Sequence, residues 1–244
     1  MELPELDGAA FQPLIEHLTK TNIPVNKFRK GAGIGRSQCF GMVRKRSLAP
    51  DLSRCSWIDP RLHYLLMKFA LMHMPPGFTF TSIQVNDSYT CEAHFDKHNV
   101  GNSYIVAFGP FTGGELVLKN PTDRGYNIRH RPLLFDGSVV EHYTKEFVGR
   151  RWSIVFHTLV PPAKFPMIRK LDDYEAVFRD GSWVIAWRRE GESTVYLSKK
   201  NGLPHPLKGR KKPVVAAPVE DARFTPAQNL MLRAHVTDVT DDAQ

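Results

Sequence analysis

Phe78-Thr79-Phe80-Thr81-Ser82-Ile83-Gln84-Val85 opens the stretch that decides the fold. Apolar and polar residues alternate along it, and a period of two is the mark of a strand. Asn86-Asp87-Ser88 then reads as a tight turn, because these side chains bond their own backbone. Ser103-Tyr104-Ile105-Val106-Ala107-Phe108 is a buried strand stopped by Gly109-Pro110. Glu115-Leu116-Val117-Leu118-Lys119 is a further strand, Pro121-Thr122-Asp123-Arg124-Gly125 a turn, and Trp152-Ser153-Ile154-Val155-Phe156 the closing strand. Many short strands at regular turn spacing predict a mainly β domain with flanking helices (α+β), built as a barrel or cupin-like jelly roll over about residues 78–158.

Outward from this core the pattern changes. Residues 9–20 read as a short amphipathic helix with Leu14, Ile15 and Leu18 on one face. Asp59-Pro60 opens a second helix, an N-cap followed by proline at the first helical position, with Leu62, Leu65, Leu66, Phe69 and His73 at helical spacing. This helix is expected to brace the barrel sheet. Pro161-Pro162 and Pro166 mark a boundary, which divides a domain over 1–160 from a C-terminal extension over 161–244. The extension carries a β-hairpin (183–187 with 194–197), a basic loop (208–213) and a short helix opened by Thr225-Pro226.

At 244 residues, 42% hydrophobic and 24% charged, the chain is ordinary for one large domain with an appendage. No window has the uninterrupted apolar run of a membrane helix, and the acidic start lacks the layout of a signal peptide. Three cysteines (Cys39, Cys55, Cys91) make no disulfide framework, so an intracellular, reducing setting is expected. A net charge of +8 suits a polyanionic partner as well as plain solubility. The charge gathers in residues 27–46, which hold seven cations and no acid. Arg36, Arg44, Lys45 and Arg46 are candidates there for contacts to a nucleic-acid backbone.

Chemistry concentrates in His94-Phe95-Asp96. In a strand, residues two apart share a face, so His94 and Asp96 can converge on one ion while Phe95 points away. His142 follows at the end of a second apolar segment. Two imidazoles and one carboxylate, with coordination positions left open, are the ligand set of non-haem Fe(II) oxygenases. Nine residues later Arg151-Trp152-Ser153 places a guanidinium and a hydroxyl on one strand face, where they can hold the far carboxylate of an organic acid. The neighbouring Arg150 would share a face with Trp152 instead. His98, His130 and His157 are not read as ligands: His98 lies four residues from His94, a helical spacing in a stretch that is not helical, and His157 shares the alternation face of Arg151 as a core or supporting residue.

These pieces in this order, with the Gly113-Gly114-Glu115-Leu116 turn and Phe135-Asp136-Gly137 ahead of His142, resemble the Fe(II)/2-oxoglutarate-dependent dioxygenases over roughly residues 78–158. The resemblance implies a double-stranded β-helix. It implies Fe(II) on His94, Asp96 and His142, and 2-oxoglutarate anchored by Arg151 and Ser153 with Asn86 and Tyr89 alongside. It also implies O2 as the second cosubstrate. His94-x-Asp96-x-x-Asn99-x-Gly101-x-Ser103 and Gly109-x-x-x-Gly113-Gly114-x-Leu116 are similar to the Tet/JBP group, which oxidises the methyl group of a base in nucleic acid. Hydroxylation of a nucleobase methyl in DNA or RNA is therefore the first expectation. The alternatives are a prolyl-type hydroxylase of protein side chains and a non-catalytic, cupin-like metal-binding protein. Oligomeric state is not legible.

Overall fold

The computed structural model describes residues 1–25, 34–45, 48–119, 122–160, 171–187 and 194–197. The basic loop, the last short helix and Arg46 lie outside them, as does the side chain of Lys45. The helices are α1 (Gln12–Lys20), α2 (Arg54–Ile58) and α3 (Pro60–His73). Eleven strands precede the C-terminal part: β1 (Ile34–Lys45), β2 (Leu48–Leu52), β3 (Ser82–Thr90), β4 (Asn99–Phe108), β5 (Phe111–Gly113), β6 (Leu116–Lys119), β7 (Asp123–Tyr126), β8 (Leu133–Phe135), β9 (Glu141–Thr144), β10 (Phe147–Gly149) and β11 (Trp152–Leu159). Then follow β12 (Tyr174–Arg179), β13 (Ser182–Trp187) and β14 (Val195–Leu197).

Two compact units emerge. One joins residues 1–53 to 75–160, and the other joins 54–74 to the described residues from 171 onward. The first is a double-stranded β-helix. Its large sheet is antiparallel throughout and runs in the order β2-β1-β3-β11-β4-β8. Two short antiparallel sheets, β7-β6-β9 and β10-β5, complete it. Ile105 and Ala107 of β4 bury with Phe111, Leu116, Ile128, Leu133 and Phe135, and Leu118, Phe147 and Val155 pack against that cluster. This core joins the large sheet to the short ones.

Alternation in β3, β11 and β4 sorts the large sheet into two faces. Ile83, Val85, Tyr104, Val106, Phe108, Trp152, Ile154 and Phe156 align across the three strands. All of them are buried. Phe11, at the entry to α1, stacks on Phe108 with ring centroids 5.0 Å apart, and Leu14 and Leu18 of α1 are also buried. The opposite face carries Gln84, Asn86, Ile105, Ala107, Ser153 and Val155. Here the polar residues of the alternation turn into the β-helix.

Several local expectations change. Residues 78–81 lie ahead of β3, and Asn86-Asp87-Ser88, read as a turn, lies inside it. The strand is central, paired to β1 on one side and β11 on the other, so its main chain is bonded from both flanks. Asp87 and Asn86 find side-chain partners (Arg150 and Ser153), which removes the local competition that favours a turn. Ser88, with φ of 49°, marks the irregularity that remains. Likewise Asp123, Arg124 and Gly125 belong to β7 rather than to a turn.

In the second unit Asp59 caps α3 by accepting a hydrogen bond from the Leu62 amide at 3.1 Å, as Asp59-Pro60 predicts. Here α3 packs with β12 and β13, so residues 54–74 group with the C-terminal part and not with residues 1–53. Tyr64 and Trp183 meet at 4.6 Å between ring centroids. The hairpin is β13 and β14, and β12, which the sequence reading did not include, pairs with β13 on its other edge. Among the described residues no helix is long and apolar enough to cross a membrane.

Candidate active site

His94-Phe95-Asp96 sits between β3 and β4 rather than within a strand. A single antiparallel bridge, with amides and carbonyls exchanged at 3.0 Å, joins His94 to His142 at the start of β9. The Asp96 amide donates to the Gly137 carbonyl at 2.8 Å. These links replace strand pairing and bring three side chains together. One ligand atom from each of His94, Asp96 and His142 lies within 4.8 Å of the others, the spacing of a metal-binding group. Phe95 turns away and is exposed.

The imidazoles are set for coordination. Nδ1 of His94 lies 2.8 Å from the Glu92 carbonyl and Nδ1 of His142 lies 2.9 Å from the Val140 carbonyl. A carbonyl only accepts, so each Nδ1 carries the hydrogen and each Nε2 keeps its lone pair. The two Nε2 atoms face Asp96, at 3.6 Å from Oδ1 and 3.8 Å from Oδ2. A histidine ligand whose other nitrogen donates to a fixed acceptor is the usual supporting arrangement of a metal site. Without an ion, a proton takes that place: the Asp96 carboxylate, and after it the Cys91 thiol, raise the His94 pKa to about 10.

Arg151 precedes β11 and is almost wholly buried, at 2% exposure. Its Nε and Nη2 have no hydrogen-bond partner among the described residues. The guanidinium lies 5.5 Å and 5.6 Å from the ring centroids of Phe111 and Phe147. Burial lowers its pKa to about 10, which still leaves it charged at neutral pH. Arg150 differs in kind. It is bound to Asp87 at 2.8 Å and lies over Trp152 at 4.5 Å. The two adjacent arginines are thus separated by their partners.

Ser153 and Asn86 face each other across β11 and β3. Asn86 Nδ2 donates to Ser153 Oγ at 3.1 Å, which leaves the Ser153 hydroxyl hydrogen to donate elsewhere. Asn86 Oδ1 is buried without a hydrogen-bond partner among the described residues. One cavity is lined by His94, Asp96, His142, Arg151, Ser153, Asn86 and Tyr89, with Ile105, Leu116, Phe135 and Val155 as apolar walls. Every residue predicted for metal or organic-acid binding lines it.

The candidate backbone contacts are elsewhere. Arg36 donates to the Asn22 side chain and the Ile23 carbonyl and borders a separate hollow with Asp87 and Arg150. Arg44 contacts His98 Nδ1 at 2.6 Å, two residues beyond Asp96.

Two positions escaped the sequence reading because they act through what they lack. A Cβ on Gly137 would stand 3.1 Å from both Asp96 Oδ2 and His142 Cε1. A Cβ on Gly114, where φ is +71°, would stand 2.9 Å from Arg151 Nε. The Phe135-Asp136-Gly137 and Gly113-Gly114 motifs carried the signal, but not its reason. Cys91, Gln84 and Thr144 also line the cavity, and nothing in their sequence context announced it; His157, which alternation places on the face of Arg151, lines it too.

No protein-family model matches the chain, and no curated protein matches its sequence. Among solved structures it is similar to NgTET1 in complex with 5mC DNA, at 14% identity and a TM-score of 0.47, over 69% of this chain and 75% of that one. It is similar to an oxidoreductase of the 2OG-Fe(II) oxygenase family from Burkholderia pseudomallei, at 16% identity and a TM-score of 0.45, over 65% and 84% of the two chains. A prolyl-4-hydroxylase from Pseudomonas putida is similar at 11% identity and a TM-score of 0.41, over 66% and 91%.

Proposed function

We propose that the protein is an Fe(II)- and 2-oxoglutarate-dependent dioxygenase acting on the methyl group of a nucleobase in DNA or RNA. The observation that carries the enzyme class is Arg151. A buried guanidinium without a carboxylate partner is costly, since desolvation is not repaid. It is accounted for when an anionic ligand enters the same cavity as the His94–Asp96–His142 group. A cupin-like protein that keeps its metal for structure has no use for such a cation.

The residues divide the work. His94 and His142 present Nε2 and Asp96 an anionic oxygen to Fe(II), and the remaining positions stay open. Arg151 neutralises the far carboxylate of 2-oxoglutarate through two N–H donors, and the Ser153 hydroxyl adds a third. Asn86 holds Ser153 in place. Ile105, Leu116, Phe135 and Val155 keep the lining partly apolar, which strengthens these charged contacts. Fe(II), 2-oxoglutarate and O2, when bound, supply the C–H oxidation, with succinate and CO2 as co-products.

The nucleobase reading rests on the similarity to the Tet/JBP group, the +8 charge and the place of Arg44 beside the loop that carries Asp96. Binding of 2-oxoglutarate to the Mn(II)-loaded protein tests the class. Arg151→Ala should weaken it on the order of a hundredfold, because a charge-assisted bidentate contact is lost. Arg150→Ala should leave it within about threefold, because that side chain is committed to Asp87. An equal or larger effect at Arg150 would remove Arg151 from its role. Succinate release on methylated oligonucleotides, set against proline-containing peptides, tests the substrate; release on the peptides alone would transfer the assignment to a prolyl-type hydroxylase.

A further inference from the structure

Gln84 lines the same cavity and has no part in the reaction described above. It stands on β3 two residues before Asn86 and opposite Val155 of β11, with 8% of its surface exposed. Its amide has a fixed orientation. Nε2 donates to the Gln38 carbonyl at 3.0 Å and to the Val85 carbonyl at 3.4 Å. Carbonyls only accept, so the end that meets them is the nitrogen, and both of its hydrogens are engaged. What remains to offer the cavity is the acceptor Oε1. Two residues along a strand advance about 7 Å. The five carbons of 2-oxoglutarate, at about 1.5 Å per bond, span about 5 Å. With its far carboxylate at Arg151 and Ser153, in the row of Asn86, the cosubstrate brings its keto end level with Gln84. Its keto and carboxylate oxygens are all acceptors at neutral pH and give Oε1 nothing. An acceptor left unpaired at a buried site costs free energy that a donor recovers.

We propose that Gln84 is a specificity-determining residue, whose Oε1 accepts an N–H of the prime substrate beside the carbon that is oxidised. The inference rests on the nucleobase reading and narrows it. In a methylated cytosine the exocyclic amino group stands next to the methyl group and donates. In thymine a carbonyl takes that place and meets Oε1 acceptor to acceptor. A proline within a peptide has no N–H at all. The same acceptor therefore favours the amino-bearing base over both. A substrate that leaves a buried polar group unpaired is rejected far more strongly than one that merely fits less well.

The test compares two oligonucleotides that differ at one position, 5-methylcytosine in the first and thymine in the second. Succinate release by the full chain loaded with Fe(II) gives kcat/KM for each. The unaltered protein should favour 5-methylcytosine by roughly tenfold to a hundredfold. Gln84→Met keeps an unbranched chain of similar length and removes the acceptor. It should bring the two substrates within about threefold by slowing the first, a change in ratio that a general loss of structure does not produce. Binding of 2-oxoglutarate to the Mn(II)-loaded variant should stay within about threefold of the unaltered protein, because the far carboxylate is held elsewhere. Equal kcat/KM for the two oligonucleotides in the unaltered protein overturns the proposal, and so does a preference that survives Gln84→Met. The first of these is read on the unaltered chain, so it holds even where the variant fails to fold. Release on neither oligonucleotide would overturn the nucleobase reading itself, and this proposal with it.

Discussion

His94 and His142 owe their pose to main-chain carbonyls, and Asp96 owes its pose to the Gly137 carbonyl that receives its amide. This makes Gly137 a residue whose absent side chain matters. Gly137→Ala places a carbon 3.1 Å from an Asp96 oxygen and from the His142 ring, and one of them has to shift. Mn(II) affinity should fall by about tenfold to a hundredfold, the range for groups that orient metal ligands, with the circular dichroism spectrum preserved. Unchanged affinity would show that the ligands accommodate the methyl group. The protonation of His94 yields a second prediction. Its pKa is raised, first by Asp96, to about 10 from an ordinary 6.5. In the metal-free protein this charge contributes stability in full below pH 6.5, and the contribution is lost as pH rises towards 10. Thermal scans in chelator should therefore show Tm falling across that window, and His94→Gln should flatten the fall. Metal has the opposite sign. It displaces the proton, so Mn(II) affinity should rise with pH, by at most about tenfold per unit.

At the scale of elements, β3, β11 and β4 explain how polar residues reach the interior. Alternation was legible in Phe78-Thr79-Phe80-Thr81-Ser82-Ile83-Gln84-Val85, but the wet face of that pattern was not the outside. The apolar face packs beneath Phe11, which stacks on its Phe108, and Gln84, Asn86 and Ser153 line the cavity. The position of the N-terminal element is testable. Phe11 is fully buried and stacks on Phe108 at 5.0 Å and on His130 at 4.9 Å. Phe11→Ala should cost about 3–5 kcal/mol in urea unfolding. A loss below about 1 kcal/mol would mean that this ring does not cover the sheet. Asn-Asp-Ser looked like a turn because those side chains bond locally when nothing better exists. Arg150 and Ser153, more than sixty residues away, supplied something better.

For the whole molecule, net charge frames the substrate question. If residues 27–46 hold a nucleic-acid backbone, the logarithm of oligonucleotide affinity should fall linearly with the logarithm of salt concentration. Reversing Arg44, Lys45 and Arg46 to glutamate should flatten that slope by about two to three and impair oxidation of the oligonucleotide. Turnover of 2-oxoglutarate without a prime substrate should survive, since His94, Asp96 and His142 are untouched. A slope that does not change would leave these cations as a solvated face. The sequence by itself determined the β-rich core, the ligand types and their order along the chain. Those are local properties: a period of two, an imidazole, a carboxylate and a guanidinium can be read where they stand. Only the tertiary structure decided that Arg150 is spent on Asp87 while Arg151 is not. It alone placed Cys91 against His94, Gly114 where a Cβ would collide with Arg151, and Gly137 where a Cβ would crowd Asp96 and His142. It alone grouped α3 with the C-terminal strands. The physical reason is that partner choice, burial and steric room are set mainly by contacts between residues distant in sequence, and no stretch of the chain holds both sides of such a contact.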